Sequence, residues 1–288
     1  MSTQATKPMN QSAWRLNRDP PNAMLSMHEQ LRQGIKKVRN AQEEPMIDIS
    51  TDILSELAPT GRLRAALNHG NFVLVARDEA RRPYGISVDL ATAFAAAVGL
   101  ELDFIEYERA VDVSSSATNG AWDICFLAVD PKRAETIDFT TPYIRIDGRY
   151  LAGAHCDVSD SDALVASGAA VGSVEGSAYT LTLQRQPGAE NLITYTDIHA
   201  ALAALDAGKV AAIAGIGDAM AHEASKRQGT RVLSPPFMEI RQAMALPQGR
   251  PSASRVLKGW LDGAARSGLT GDILERYGVA RSCAILPS

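Results

Sequence analysis

The feature that most constrains this chain is an alternation of short apolar runs with helical faces, played through twice. "LRAAL" (63–67) and "VLVAR" (73–77) read as extended runs on either side of the loop "NHGNF". "ISVDLATAFAAAVGL" follows, with Leu90, Phe94 and Val98 at helical spacing, Ala91 and Ala95 beside them, and Gly99 as the stop. "ELDFIEY" and "WDICFLAV" are further strand candidates, the second of the kind buried in parallel sheets. The scheme then repeats. "AAVGSVEG" runs into "SAYTLTLQRQ", and "NLITY" into "DIHAALAALDAG". "KVAAIAGI" then runs into "GDAMAHEASKRQ". Strands alternating with helices predict α/β layers around mostly parallel sheets.

Two units of similar length predict two lobes. Between them runs "YIRIDGRYLAGA" (143–154), and after the second comes "FMEIRQAMAL" (237–246), both extended and without helical periodicity. Two such crossings predict a two-stranded hinge. The helices "SASRVLKGWLDGAARSG" and "TGDILERYG" would return to the first lobe. The expected organisation is an N-terminal extension over 1–60, a discontinuous first lobe over 61–145 and 241–280, a second lobe over 146–240, and a tail over 281–288.

Within the extension, residues 1–24 are polar, proline-bearing and expected to be disordered. "SMHE" (26–29) fits a capping box opening a helix to about Asn40, expected to be a solvated helix rather than a docking segment. A second short helix is expected over Thr51 to Leu57, ending before Ala58-Pro59. No apolar run in the first 24 residues could serve as a secretory leader, and no stretch is long and apolar enough to span a membrane. A length of 288 residues, 45% of them hydrophobic, suits two lobes, and a formal charge of -4 argues against a nucleic-acid partner. Cys125, Cys156 and Cys283 lack metal-ligand spacing. Cys125 is expected to be a small core residue, and a Cys156–Cys283 bridge is neither required nor ruled out. No metal or cofactor is expected.

"CFLAVDPKRAETIDFTTPY" (125–143) places Arg133 just beyond the end of a buried strand. This block resembles one from the extracellular solute-binding proteins of family 3, the polar-amino-acid receptors of ABC transporters. "GISVDL" (85–90), "NGAWDI" (119–124), "VGSVEGSAY" (171–179), "ALDAGKVAAI" (204–213) and "SGLTGDILERYG" (267–278) resemble further segments of that family, in its order. The resemblance implies a type II periplasmic-binding-protein fold, two sheets joined by a two-stranded hinge, a ligand cleft between the lobes, and a transporter as partner. It also implies a periplasmic setting, although the chain shows no leader and a cytoplasmic protein is the alternative.

In that family the arginine after the strand binds the ligand's carboxylate, and Arg133 is its match. A guanidinium at the carboxyl end of a sheet can hold a carboxylate through two parallel hydrogen bonds. The plainer reading pairs Arg133 with Glu135 or Asp138 on the surface. The resemblance also nominates Ala128 and Asp130, where the family carries hydroxyl residues, and Asn68 and Phe72 in the loop after the first strand. Phe72 is a lid or a core residue. In the second lobe it nominates Gly176 and Ser177, whose N–H groups at a helix start suit an anion, and Tyr179, in the cleft or on the surface. Tyr107 is a weaker candidate. Ile216 stands where many amino-acid receptors place an aspartate for the ligand's ammonium, and Asp218 nearby is expected to cap a helix. Either Asp130 takes the ammonium, or the ligand is not an ordinary α-amino acid.

The expected function is therefore that of a binding protein for an amino acid or related small carboxylate, without catalytic residues. A cyclohexadienyl or arogenate dehydratase on the same fold is the alternative. Asp130 and Glu175 are the acids it could use, and His69 is the one histidine in a candidate pocket loop. The effector domain of a transcription regulator would need a helix-turn-helix, for which residues 1–60 offer too little.

Overall fold

The computed structural model describes Ile47 and residues 49–288. The helix expected from Ser26 and the tail expected over 1–24 lie outside the described residues. Thr51–Leu57 is helical, capped by the Ser50 hydroxyl, which accepts from the Ile53 amide.

Strands β1 (Leu63–Asn68), β4 (Leu102–Tyr107) and β5 (Ile124–Ala128) form the parallel part of the first lobe, with β1 in the middle. All five β5 residues are buried, which explains the unbroken apolar run. Only Ala76–Arg77 (β2) of the expected strand "VLVAR" is extended. It pairs with Pro83–Tyr84 (β3) in a small ribbon, because the chain turns through Asn71–Val75 first. The helix Ile86–Ala97 buries Leu90, Ala91, Phe94 and Ala95. It ends where Gly99 takes φ 68°, letting the Leu100 amide reach the Ala95 carbonyl at 3.0 Å. A short helix, Ala110–Ser115, has no counterpart among the expectations, since six residues are too few to show a period.

The second lobe is built on β8 (Val171–Val174), β9 (Leu192–Tyr195) and β10 (Ala212–Ile216), parallel to one another with β8 central. After the helix Ser161–Ala166, three helices alternate with these strands: Ala178–Leu183, Ile198–Asp206 and Gly217–Lys226. Asp197 caps the second of these by accepting from the Ala200 amide at 2.9 Å. Asp218 makes no such bond. The residue preceding the third helix is Ile216, and the helix has no side-chain cap.

The two extended segments are β7 (Ile144–Ala152) and β12 (Met238–Pro247). They pair antiparallel, from Gln242 opposite Ile144 to Met238 opposite Gly148. β12 continues beside β5, and β7 continues beside β10, so the two lobes' sheets run into each other through this ribbon. Arg231–Val232 (β11) pairs with the far end of β7, and Ile137–Phe139 (β6) with the far end of β12. The helices Pro251–Ser267 and Leu269–Arg276 follow β12, with the rings of Phe94 in the first lobe and Trp260 packed at 5.1 Å in a tilted pair. The last residues lie along the hinge. Ala284 bridges to Ile144, and the Ile285 amide donates to the Tyr143 carbonyl. The three cysteines are free thiols.

Candidate functional site

Between the lobes lies a cavity of about 730 Å³, within the range of small-molecule sites. β1 ends at its rim with Asn68, β5 ends in its wall with Leu127 and Ala128, and β12 contributes Ile240 and Gln242 from the hinge. The second lobe contributes Tyr179, Ile198, Leu202 and Ile216. This is the crevice beyond the carboxyl ends of parallel strands, where side chains from different strands converge.

Arg133 sits in a single 3-10 turn, Arg133–Glu135, directly after β5 and the Asp130-Pro131 corner. It is 4% exposed. The surface pairings open to it are taken by others: Glu135 pairs with Lys132, and Asp138 with Lys258 and the Ser254 hydroxyl. Its Nη1 donates to the Ala128 carbonyl and its Nη2 to the Gly176 carbonyl of the second lobe, each at 3.0 Å. Its Nε–H has no acceptor among the described residues. Burial, opposed by the charge of Asp130, pushes its pKa down to about 10. The guanidinium is thus cationic at neutral pH and largely buried, with its Nε–H unpaired among the described residues.

Six of the eight nominated residues line the cavity: Asn68, Phe72, Ala128, Arg133, Ser177 and Tyr179. Phe72 is 53% exposed, so it is no core residue. Asn68 accepts from the Gly70 amide with its side-chain oxygen, which shapes the loop. Ser177 caps the helix Ala178–Leu183, accepting from the Thr180 amide at 3.2 Å and donating to its hydroxyl at 2.8 Å. Burial pushes the Tyr179 phenol up to about 12, keeping it neutral.

The other two are placed differently. Asp130 does not line the cavity. Its carboxylate accepts from Arg185 of the second lobe at 2.7 Å and from the Lys132 amide at 2.8 Å. Gly176 faces Arg133 with its carbonyl rather than offering its amide to the cavity. Tyr107, outside the lining, accepts from the Ser116 hydroxyl. His69 and Glu175 do line the cavity. His69 Nε2 lies 2.7 Å from Glu106, and Glu175 lies 3.7 Å from Arg109.

Several residues of the site escaped sequence reasoning. Arg185 and Arg109 reach across from one lobe to the other, and Val111 packs against Gly176. Asn71, 4% exposed, lines the cavity, and its Oδ1 has no partner among the described residues. Gln242, 6% exposed, interrupts the inward-facing series Ile240, Met244 and Leu246 of β12. A polar residue on the buried side of an alternating strand was the available signal.

Residues 63–279 match the model of the bacterial extracellular solute-binding proteins, family 3. Comparison with curated proteins gave no match. Among solved structures, the P235GK mutant of ArgBP from T. maritima aligns with TM-score 0.66 and 17% identity, over 78% of this chain and 99% of that one. An amino acid ABC transporter substrate-binding protein from Streptococcus pneumoniae, bound to L-arginine, aligns with TM-score 0.63 and 20% identity, over 83% and 100%. The ancestral amino acid-binding protein AncCDT-1, a precursor of cyclohexadienyl dehydratase, gives TM-score 0.64 and 19% identity, over 78% and 98%.

Proposed function

We propose, starting from the fact that this chain belongs to the bacterial extracellular solute-binding proteins, family 3, that it captures a small carboxylate between its lobes and presents it to an ABC transporter. One observation carries the reading. Arg133 is buried at the lip of β5, joined to both lobes, and retains an unpaired Nε–H beside a cavity of ligand size. A carboxylate would supply the missing acceptor, and a charge-assisted bond in a dry site is among the stronger ones available. The paired strands β7 and β12 are the hinge about which the lobes would part to admit it.

A screen of amino acids and other small carboxylates by thermal shift tests this. A ligand at a hundredfold excess over its Kd adds roughly 2.7 kcal/mol of stability. Arg133→Gln should weaken binding by calorimetry at least tenfold, and Arg133→Lys, which keeps the charge but loses the planar fork, should fall between. A hit whose affinity ignores both substitutions would place the carboxylate elsewhere.

The dehydratase reading has in its favour that Glu175 lines the same cleft. Prephenate and arogenate, followed by absorbance, decide it: a flat trace with both dismisses catalysis.

A further inference from the structure

We propose that the cleft selects a carboxylate with an apolar body and an uncharged hydroxyl or amide N–H beside the carboxylate, and discriminates against zwitterionic α-amino acids. This deepens the binding reading above and rests on it. An α-ammonium sits on the carbon next to the carboxylate, so its counter-charge must stand close to Arg133. Among the described residues, the carboxylate whose charge bears on Arg133 is Asp130. That group is turned away from the cavity, 2% exposed and already held by Arg185.

Among the described residues, the four carboxylates that do line the cavity are also engaged. Glu108 pairs with Arg77 at 2.9 Å and Glu175 with Arg109 at 3.7 Å. Asp197 caps a helix, and Glu223 pairs with Lys226 and Arg227. Glu108 and Glu175 are 70% and 62% exposed, at the mouth rather than the floor. The walls that share β5 and the hinge with Arg133 are Leu127, Ala128, Ile240 and Gln242, and the facing strand ends in Ile216.

The cavity also offers two deeply buried neutral side chains. Asn71 Oδ1 is buried without a donor among the described residues, and Gln242 brings a second carboxamide. A carbonyl oxygen takes one O–H or N–H well. It does not neutralise an ammonium, and burying an uncompensated charge is costly even after relaxation. A hydroxyl needs only the hydrogen bond. Phe72, Tyr179, Ile198, Leu202 and Ile240 then give the rest of the ligand an apolar wall.

Calorimetric titration of the whole chain with matched pairs tests the proposal: L-phenyllactate against L-phenylalanine, 2-hydroxyisocaproate against leucine, and N-acetyl-leucine against leucine. The hydroxy or acyl member should bind at least tenfold tighter. Ile216→Asp places an acid at the cavity wall, at a position that precedes a helix and tolerates it. It should shift the ratio at least tenfold toward the amino acid. Equal or tighter binding of the amino acids, lost in Arg133→Gln, would overturn this inference and leave the binding function standing. Silence of every carboxylate in the wider screen would overturn both.

Discussion

Gly176→Ala should wedge the lobes apart. Gly176 has φ +65°, and a Cβ built there would lie 2.6 Å from Val111 Cβ and 2.9 Å from its Cγ2, on the other lobe. Carbon atoms in contact prefer about 3.5–4.0 Å, so relief requires a separation of about 1 Å at this point. Val111 is β-branched and cannot swing aside as a flexible chain would. The hydrogen bond from Arg133 Nη2 to the Gly176 carbonyl, 3.0 Å long, would stretch beyond hydrogen-bonding range. A bond to a charged group contributes roughly 1.5–3 kcal/mol. If ligand closes the lobes against this wedge, affinity falls about 10- to 100-fold. A separate cost of roughly 1–2 kcal/mol comes from the left-handed backbone, which alanine resists. It should lower the melting point by about 2–8 °C with or without ligand. The two effects separate in a double mutant. Val111→Gly removes the obstructing Cβ, so the pair should regain most of the affinity measured by calorimetry while keeping the melting loss. An unrescued double mutant would show that lobe contact at Gly176 does not govern binding.

Asp123, fully buried, accepts from the Arg64 amide, from Arg64 Nε and Nη2 at 2.9 Å, and from Arg250 at 3.1 Å, tying β1 to the helix after the hinge. Asp123→Asn should cost about 3 kcal/mol in urea unfolding, the low end for breaking a buried ion set, because both arginines keep some water. A loss under 1 kcal/mol would contradict that account. Asp138 is half-buried, which raises its pKa, but bonds from Lys258 and Ser254 outweigh burial and hold it below the ordinary value. A depressed folded-state pKa adds stability that is present above about pH 4 and lost as pH falls through the folded value. Asp138→Asn should therefore flatten the acid limb of a stability–pH curve below about pH 4, and an unchanged limb would mean the pair contributes nothing.

The sequence and the structure agree where periodicity had room to speak. The run Ile124 to Ala128 read as a buried strand, and Leu90, Phe94 and Val98 with Gly99 as a stopped helix, and both are found. The hinge was legible as two extended segments, but not its register. Nothing local sets Gln242 opposite Ile144. The position of Arg133 just past a buried strand was legible because strand end and cation are adjacent in the chain. Its acceptor on Gly176 was not, being 43 residues away. The misplacement of Asp130 has the same cause. Beside Arg133 it looks like a ligand acid, and only folding brings Arg185, 55 residues on, to claim it.

That pairing bears on how the lobes can open at all. Asp130 is dry in this arrangement, while Arg185 is 47% exposed. Removing Arg185 would strand a buried carboxylate, which is expensive. Parting the lobes instead returns both groups to water, so the net cost is that of an ordinary ion pair, about 0–1 kcal/mol. The exposed Arg109–Glu175 contact, at 3.7 Å, adds still less. The lobes are thus joined by contacts that water can replace, except at Arg133. Its Nη2 bond to the second lobe would go on opening, and its Nε–H is unpaired within the described residues. A ligand carboxylate acts on that one group, and a shift between open and closed populations needs only the differential free energy supplied there.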